Sequence, residues 1–158
     1  MTETPATRAI ADSGLDYEIV EYGRVNSVEE AAEARGVPVA RVIKTIVVRR
    51  GDGDFLMVLV PGDRVIDWAK LRSALGVSRL SLASAEEALA ATGYTPGTIT
   101  PFGSASALPV IADASMSGLA SIGGGAHGVA INVDAGALVS HLGAEVADVT
   151  KEARAAPM

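Results

Sequence analysis

The sequence predicts a single α/β domain of mixed α+β type, with helices packed around a mixed β-sheet. Three observations carry that prediction. Strand-like apolar runs and capped helical segments are interleaved without a regular βαβ rhythm. Two apolar runs flank a Gly-Asp-Gly-Asp turn at 51–54, which marks a hairpin. At 158 residues, with 49% hydrophobic and 20% charged residues, the chain can bury a core without metals or disulfides. Aromatics are only 4%, so that core is built from Val, Ile, Leu and Ala.

The elements follow in order. Thr4 to Asp12 reads as a short helix stopped near Gly14, and Leu15 to Gly23 alternates as a strand. "NSVEEAAEARG" is a helix with Asn26 or Ser27 as cap, Glu29 and Glu30 in its first turn and Gly36 at its end. Ile43 to Val48 is a buried strand, and Phe55 to Pro61 returns against it. Asp67 to Leu75 is helical. Ser84 to Gly93 is a helix with Ser84 and Glu87 at capping-box spacing. Residues 93–128 then turn rich in Gly, Ser, Thr, Pro and Ala, broken by a strand at 108–113. A strand at 128–133, a helix at 134–143 and a strand at 144–149 complete the chain. No repeat or linker divides it, so one domain is expected over 1–158, with its core at about 15–149.

Composition also limits the chemistry. There is no cysteine, which removes thiolate nucleophiles, disulfides and cysteine metal sites. The two histidines, His127 and His141, lack metal-ligand spacing, and no Gly-x-Ser-x-Gly elbow is present. No cofactor and no metal are expected. The N-terminal stretch lacks the pattern of a secretory signal, and no apolar run approaches the ~20 residues that span a bilayer, so a soluble cytoplasmic protein without a membrane partner is expected. Thirteen basic against nineteen acidic residues give a net charge of −6, which argues against tight non-specific binding of DNA or RNA while allowing a weak, local RNA contact.

Three places could hold chemistry. Lys44 sits among apolar residues near the head of a strand, on the face it shares with Ile46 and Val48. It either snorkels to water or lines a pocket for an anionic or carbonyl-bearing ligand. "GYTPGTITPFG", Gly93 to Gly103, is a long loop stiffened by two prolines, and its uncommitted N–H groups suit a carbonyl or carboxylate. "SIGGGAHGVAINV" lacks a Gly-Lys-Ser/Thr and leads into a strand, so it is no phosphate loop; it marks a close backbone approach, with His127 inside it. Asp113, after an apolar strand, is either a site carboxylate or the cap of the next turn.

In order along the chain, "VIKTIVV", "GTITPFG" and "PVIAD" followed by "GGGAHGVAINV" resemble the YbaK / prolyl-tRNA synthetase-associated editing domain family, over about Leu15 to Val149. The resemblance implies a mixed, partly barrel-like sheet surrounded by helices. It also implies hydrolysis of the ester of a mischarged tRNA, by positioning of the ester and a water, aided by the substrate's 2′-hydroxyl, without a side-chain nucleophile. The family's lysine falls on Lys44, beside Thr45, and its Gly-x-x-x-Pro loop on Gly97, Thr98, Ile99, Thr100 and Pro101, flanked by Phe102 and Gly103. Lys44, Gly97 and Pro101 are implied as catalytic, with Lys44 anchoring a phosphate or the substrate carbonyl. Thr45, the remaining loop residues, Asp113, Gly123, Gly124, Gly125 and His127 are implied to bind substrate. Gly123 stands at the family's serine position and His127 at its arginine position, and "GSASALP" carries no base where the family has lysines. The implied partner is a mischarged tRNA, weakly and transiently bound, such as proline tRNA carrying Ala or Cys; an aminoacyl-tRNA synthetase is a second. A catalytically silent binding module of the same fold, for an aminoacyl or nucleotide-like ligand or a synthetase, is the other reading.

Overall fold

The computed structural model describes residues 2–153. Among the described residues five short α-helices form where the sequence supplies caps. α1 (Pro5–Asp12) starts at Thr4, whose hydroxyl accepts from Thr7 N while the Thr7 hydroxyl accepts from Thr4 N. α2 (Val28–Arg35) is capped by Ser27, α3 (Trp68–Leu75) by Asp67, α4 (Ala85–Thr92) by the Ser84/Glu87 capping box, and α5 (Ala135–Leu142) by Asp134. Each such cap satisfies an otherwise orphaned N–H and contributes ~1 kcal/mol.

The hairpin is the centre of the largest sheet. β2 (Ile43–Gly51) pairs antiparallel with β3 (Asp54–Pro61), placing Lys44 opposite Val60 and Thr45 opposite Leu59. β6 (Val110–Asp113) joins β3 in parallel and β9 (Glu145–Ala147) joins β6 in parallel, while the two-residue β5 (Ser81–Leu82) pairs with the far end of β2. A second sheet has the order β1 (Tyr17–Glu21), β8 (Val129–Asp134), β7 (Leu119–Gly123). β4 (Arg64–Ile66) and β10 (Thr150–Glu152) make a small third ladder.

The architecture is the mixed α/β one expected, with the strands distributed over three sheets among the described residues, none of them closed. One isolated bridge, Val42 to Ser121, is what links the head of β2 to β7, too little pairing to continue the sheet around. No described helix is long and apolar enough to cross a membrane.

Strand alternation divides the core. Ile43 and Leu59 face one cluster, with Ile10, Phe102, Ile122, Ile131 and Leu138. Val48, Val58 and Val60 face the other, with Ile66, Leu71 and Ile111. Leu59, Leu71 and Ile131 are fully buried, so truncating any of them to alanine costs ~2–5 kcal/mol. The first cluster supports the loop 97–103 and the glycine-rich turn; the second lies beneath Lys44.

Candidate functional site

A cavity of about 610 Å3 opens between the end of β1, the helix α2 and the two loops, lined by Tyr22, Arg24, Ala31, Arg35, Gly97, His127 and neighbouring backbone. Arg35 is the last residue of α2, where a cation meets the negative end of the helix dipole. Its Nη2 donates to Tyr22 Oη at 3.1 Å and its Nη1 to the Ser121 carbonyl at 3.4 Å. Its own carbonyl accepts from Asn132 Nδ2 at 3.0 Å. Its Nε is buried without an acceptor. The lining holds two arginines and a histidine and no carboxylate, so the cavity favours an anionic or electron-rich ligand.

The loop 97–103 forms one wall. Gly97 sits at φ +87°, a conformation that L side chains rarely adopt. Thr98 folds back on Thr95, its N–H and hydroxyl donating to that carbonyl at 3.0 and 2.8 Å. Ile99 packs into the core, and Thr100 is wholly buried with its hydroxyl unpaired. Beyond the half-buried Pro101, Phe102 is fixed twice. Its carbonyl accepts from Tyr94 Oη at 2.7 Å, and its ring stacks on His141 at 5.7 Å. Burial pushes the Tyr94 phenol up, against a smaller opposing pull from Arg8, so it remains a neutral donor. At Gly103 a Cβ would lie 2.5 Å from the Pro5 carbonyl carbon, so the loop end is pressed onto α1. Among the described residues the N–H groups of Gly97, Ile99 and Thr100 donate to no acceptor in the protein.

The glycine-rich turn meets this loop. A Cβ on Gly123 would stand 3.0 Å from the Ile99 carbonyl oxygen, so a glycine suits the place where the family has serine. Gly124 N donates to Val129 O at 2.8 Å, and its carbonyl accepts from Thr4 Oγ1 at 2.6 Å. Gly125 packs against Tyr94 and Thr4. His127, exposed, brings its Cε1 to 3.5 Å from a Cβ placed on Gly97. On the far side of Gly97 a groove of about 200 Å3 runs past Thr45, Ala88, Pro96 and Ile99. The Thr45 hydroxyl is buried without a partner. Gly97 is thus a partition between a larger cationic cavity and a smaller, mostly apolar groove.

The structure brings Thr45, the loop, Gly123–Gly125 and His127 together. Lys44 and Asp113 lie elsewhere. Lys44 shares the strand face of Ile46 and Val48, and its Nζ donates to the Arg64 carbonyl at 2.7 Å. It lines neither cavity that Gly97 divides. Desolvation pulls its pKa down, with Asp63 partly countering. Asp113 is 2% exposed and takes the cap role: it accepts from Ser115 N at 3.0 Å, from the Ser115 hydroxyl and from Val149 N at 3.0 Å. Burial alone would raise its pKa; these bonds together with Thr150 outweigh that and leave it lowered. Arg64 Nε, 4.0 Å from Asp113 Oδ2, links the two residues on this second face.

Tyr22, Arg24 and Arg35 were not singled out in the sequence. Arg35 stands there only as one residue of a capped helix, and only the fold supplies its partners on β7 and at the end of β1.

Residues 23–140 match the aminoacyl-tRNA editing domain family. A proline–tRNA ligase of Trichlorobacter lovleyi is 37% identical over 87 residues, covering 55% of this chain and 15% of the ligase. One from Acidithiobacillus ferrooxidans is 34% identical over 113 residues, covering 72% of this chain and 20% of the ligase. The chain therefore spans about a fifth or less of the length of these relatives. A crystal structure described as a candidate trans-editing enzyme for prolyl-tRNA synthetase superposes with a TM-score of 0.85 at 26% identity, covering 95% of this chain and 99% of that one. With most of its length inside the match and its architecture shared, this chain belongs to the aminoacyl-tRNA editing domain family.

Proposed function

We propose that this chain is a trans-acting deacylase that hydrolyses the ester of a mischarged tRNA, with a small amino acid such as alanine or cysteine on proline tRNA. The observation that carries this reading is the partition at Gly97. A cationic cavity on one side suits the terminal nucleotide and its phosphate, and a small groove on the other suits a small side chain. The ester would then lie at Gly97 itself.

The chemistry follows from what borders that point. Water attacks the ester carbonyl, the C–O bond to the ribose breaks, and the products are a free amino acid and a 3′-hydroxyl. The uncommitted Gly97 N–H faces the developing oxyanion, where one preorganised donor contributes ~3–4 kcal/mol of transition-state stabilisation. The substrate's 2′-hydroxyl orients the water, as the family resemblance implies. His127, against Gly97, hydrogen-bonds to the ribose or leaving oxygen, and Arg35 holds the phosphate. Thr45 offers its unpaired hydroxyl to the amino-acid end. Pro101, Phe102 and Gly103 keep the loop in position by packing. Lys44, outside both cavities, holds the Arg64 carbonyl at the start of β4 and acts by positioning β2.

The test is a deacylation panel over mischarged tRNAs with wild type, Gly97→Ala and Lys44→Ala. Wild type should clear at least one small-residue ester, and Gly97→Ala should lose at least about tenfold. Binding of tRNA without hydrolysis of any ester would leave a silent binding module instead.

A further inference from the structure

Away from this site, four arginines gather at the far end of β2. Arg49, Arg50, Arg72 and Arg79 line a second cavity of about 600 Å3, with Asp52 as its only acidic member. Arg49 pairs with Asp52 and with Glu87, and Arg50 with Asp54. Arg72 and Arg79 have no carboxylate within 4.0 Å among the described residues. With Glu87 and Asp54 counted, four arginines meet three carboxylates, and the surplus falls on Arg72 and Arg79, in a chain whose net charge is −6. Two guanidinium groups without a carboxylate beside them are free to take an anion. Leu80 is the one large apolar side chain in the lining, beside the hydroxyls of Ser78 and Ser81. That composition suits phosphate oxygens and does not suit an apolar protein partner.

Position adds a second argument. Thr45, Val47 and Arg49 alternate onto one face of β2, and β5 pairs Ser81 with Arg49 and Leu82 with Val48. Leu82 borders the small groove that ends at Gly97, and Ser81 borders the arginine cavity. One edge therefore runs from the Gly97 partition to the arginines. From Thr45 to Arg49 is about 13 Å of strand, roughly four phosphates of one nucleic-acid strand at helical rise.

We propose that the Arg49–Arg50–Arg72–Arg79 cavity is an RNA phosphate-backbone site that grips the substrate tRNA upstream of its 3′ end. This rests on the proposed function for the identity of the RNA. The electropositive contact missing after the Gly-x-x-x-Pro loop, where "GSASALP" carries no base, is supplied here from another edge.

The experiment compares wild type with Arg72→Ser/Arg79→Ser and with Arg72→Lys/Arg79→Lys. Affinity for uncharged proline tRNA is followed by fluorescence anisotropy across a salt series. The serine pair should weaken binding roughly tenfold at low salt and flatten the log–log salt slope by about two, while the lysine pair restores most of both. In deacylation of mischarged tRNA the serine pair should raise KM and spare kcat. An unchanged affinity and slope in the serine pair overturns the proposal, as does weakened binding of a synthetase with tRNA binding intact. Wild-type activity on a 3′-aminoacyl adenosine, which has no upstream phosphate, tests the proposed function separately. If that ester and every mischarged tRNA survive, the deacylase reading fails while the anisotropy result still decides the arginine site.

Discussion

Arg35 holds Tyr22 in two ways at once: its Nη2 donates to the phenol oxygen at 3.1 Å, and its guanidinium carbon lies 5.5 Å from the centre of the same ring. The pair joins the end of β1 to the end of α2 and presents a fixed cation to the larger cavity.

Arg35→Ala should therefore raise KM for a mischarged tRNA by about tenfold with kcat little changed, since a phosphate contact contributes binding more than transition-state stabilisation. Tyr22→Phe removes one hydrogen bond and should lower stability by ~1 kcal/mol, read from a urea midpoint. Equal loss of kcat and kcat/KM in Arg35→Ala would place the residue in the chemical step.

Gly97→Ala puts a side chain at φ +87° with a methyl 3.5 Å from His127 Cε1. The backbone strain should cost ~1–2 kcal/mol, and the displaced partition should cut deacylation more than the lost stability explains. Thermal melts beside single-turnover rates separate the two effects. A rate unchanged within twofold would remove the ester from this position.

Asp113 contributes to the acid limb of stability. Its folded pKa is lowered, so its contribution is complete above the unfolded value near 3.9 and drains away as pH falls through the lower folded value. Asp113→Asn should cost ~2–4 kcal/mol at neutral pH and shallow the stability slope below about pH 4. Deacylation per folded molecule should be unaffected. Urea midpoints over pH 2–7 provide the check.

Lys44 gives a slope of the same sign at the alkaline end, but at neutral pH its shift costs stability where that of Asp113 adds it. Its folded pKa lies below the unfolded value, so between the two the unfolded chain holds more protons and stability rises with pH. Lys44→Met should remove that alkaline rise and sacrifice the bond to the Arg64 carbonyl. If its deacylation loss tracks its melting temperature, Lys44 acts through structure; a large loss at unchanged stability would bring the ammonium to the substrate.

Much of the fold was legible because local chemistry decides it. Ser84 with Glu87, Asp67 and Ser27 announce helix starts, and the Asp-Gly turn announces the β2–β3 hairpin. The short strands β4, β5, β7 and β10 were not read: β4 pairs with the distant β10 and β5 with β2, while β7 pairs with its sequence neighbour β8 across a glycine-rich turn that hides the hairpin. At the site, the loop and the glycine turn could be paired through a known order of motifs. The sheet face of Lys44 was also readable from alternation. That Lys44 would turn to the Arg64 carbonyl and line neither cavity bordered by Gly97 was not, since it depends on where β4 and the loop pack.

The contacts of α1 bear on where this domain can be cut. Thr4 holds the Gly124 carbonyl, and the Pro5–Ala6 backbone abuts Gly103, so one short helix buckles both walls of the site from behind. The family match begins only at residue 23. A fragment trimmed to that boundary would lose Tyr22 from the cavity wall and, with α1, the clasp that keeps its two loops in register. For a graft or a minimal domain, the working unit starts at Thr4.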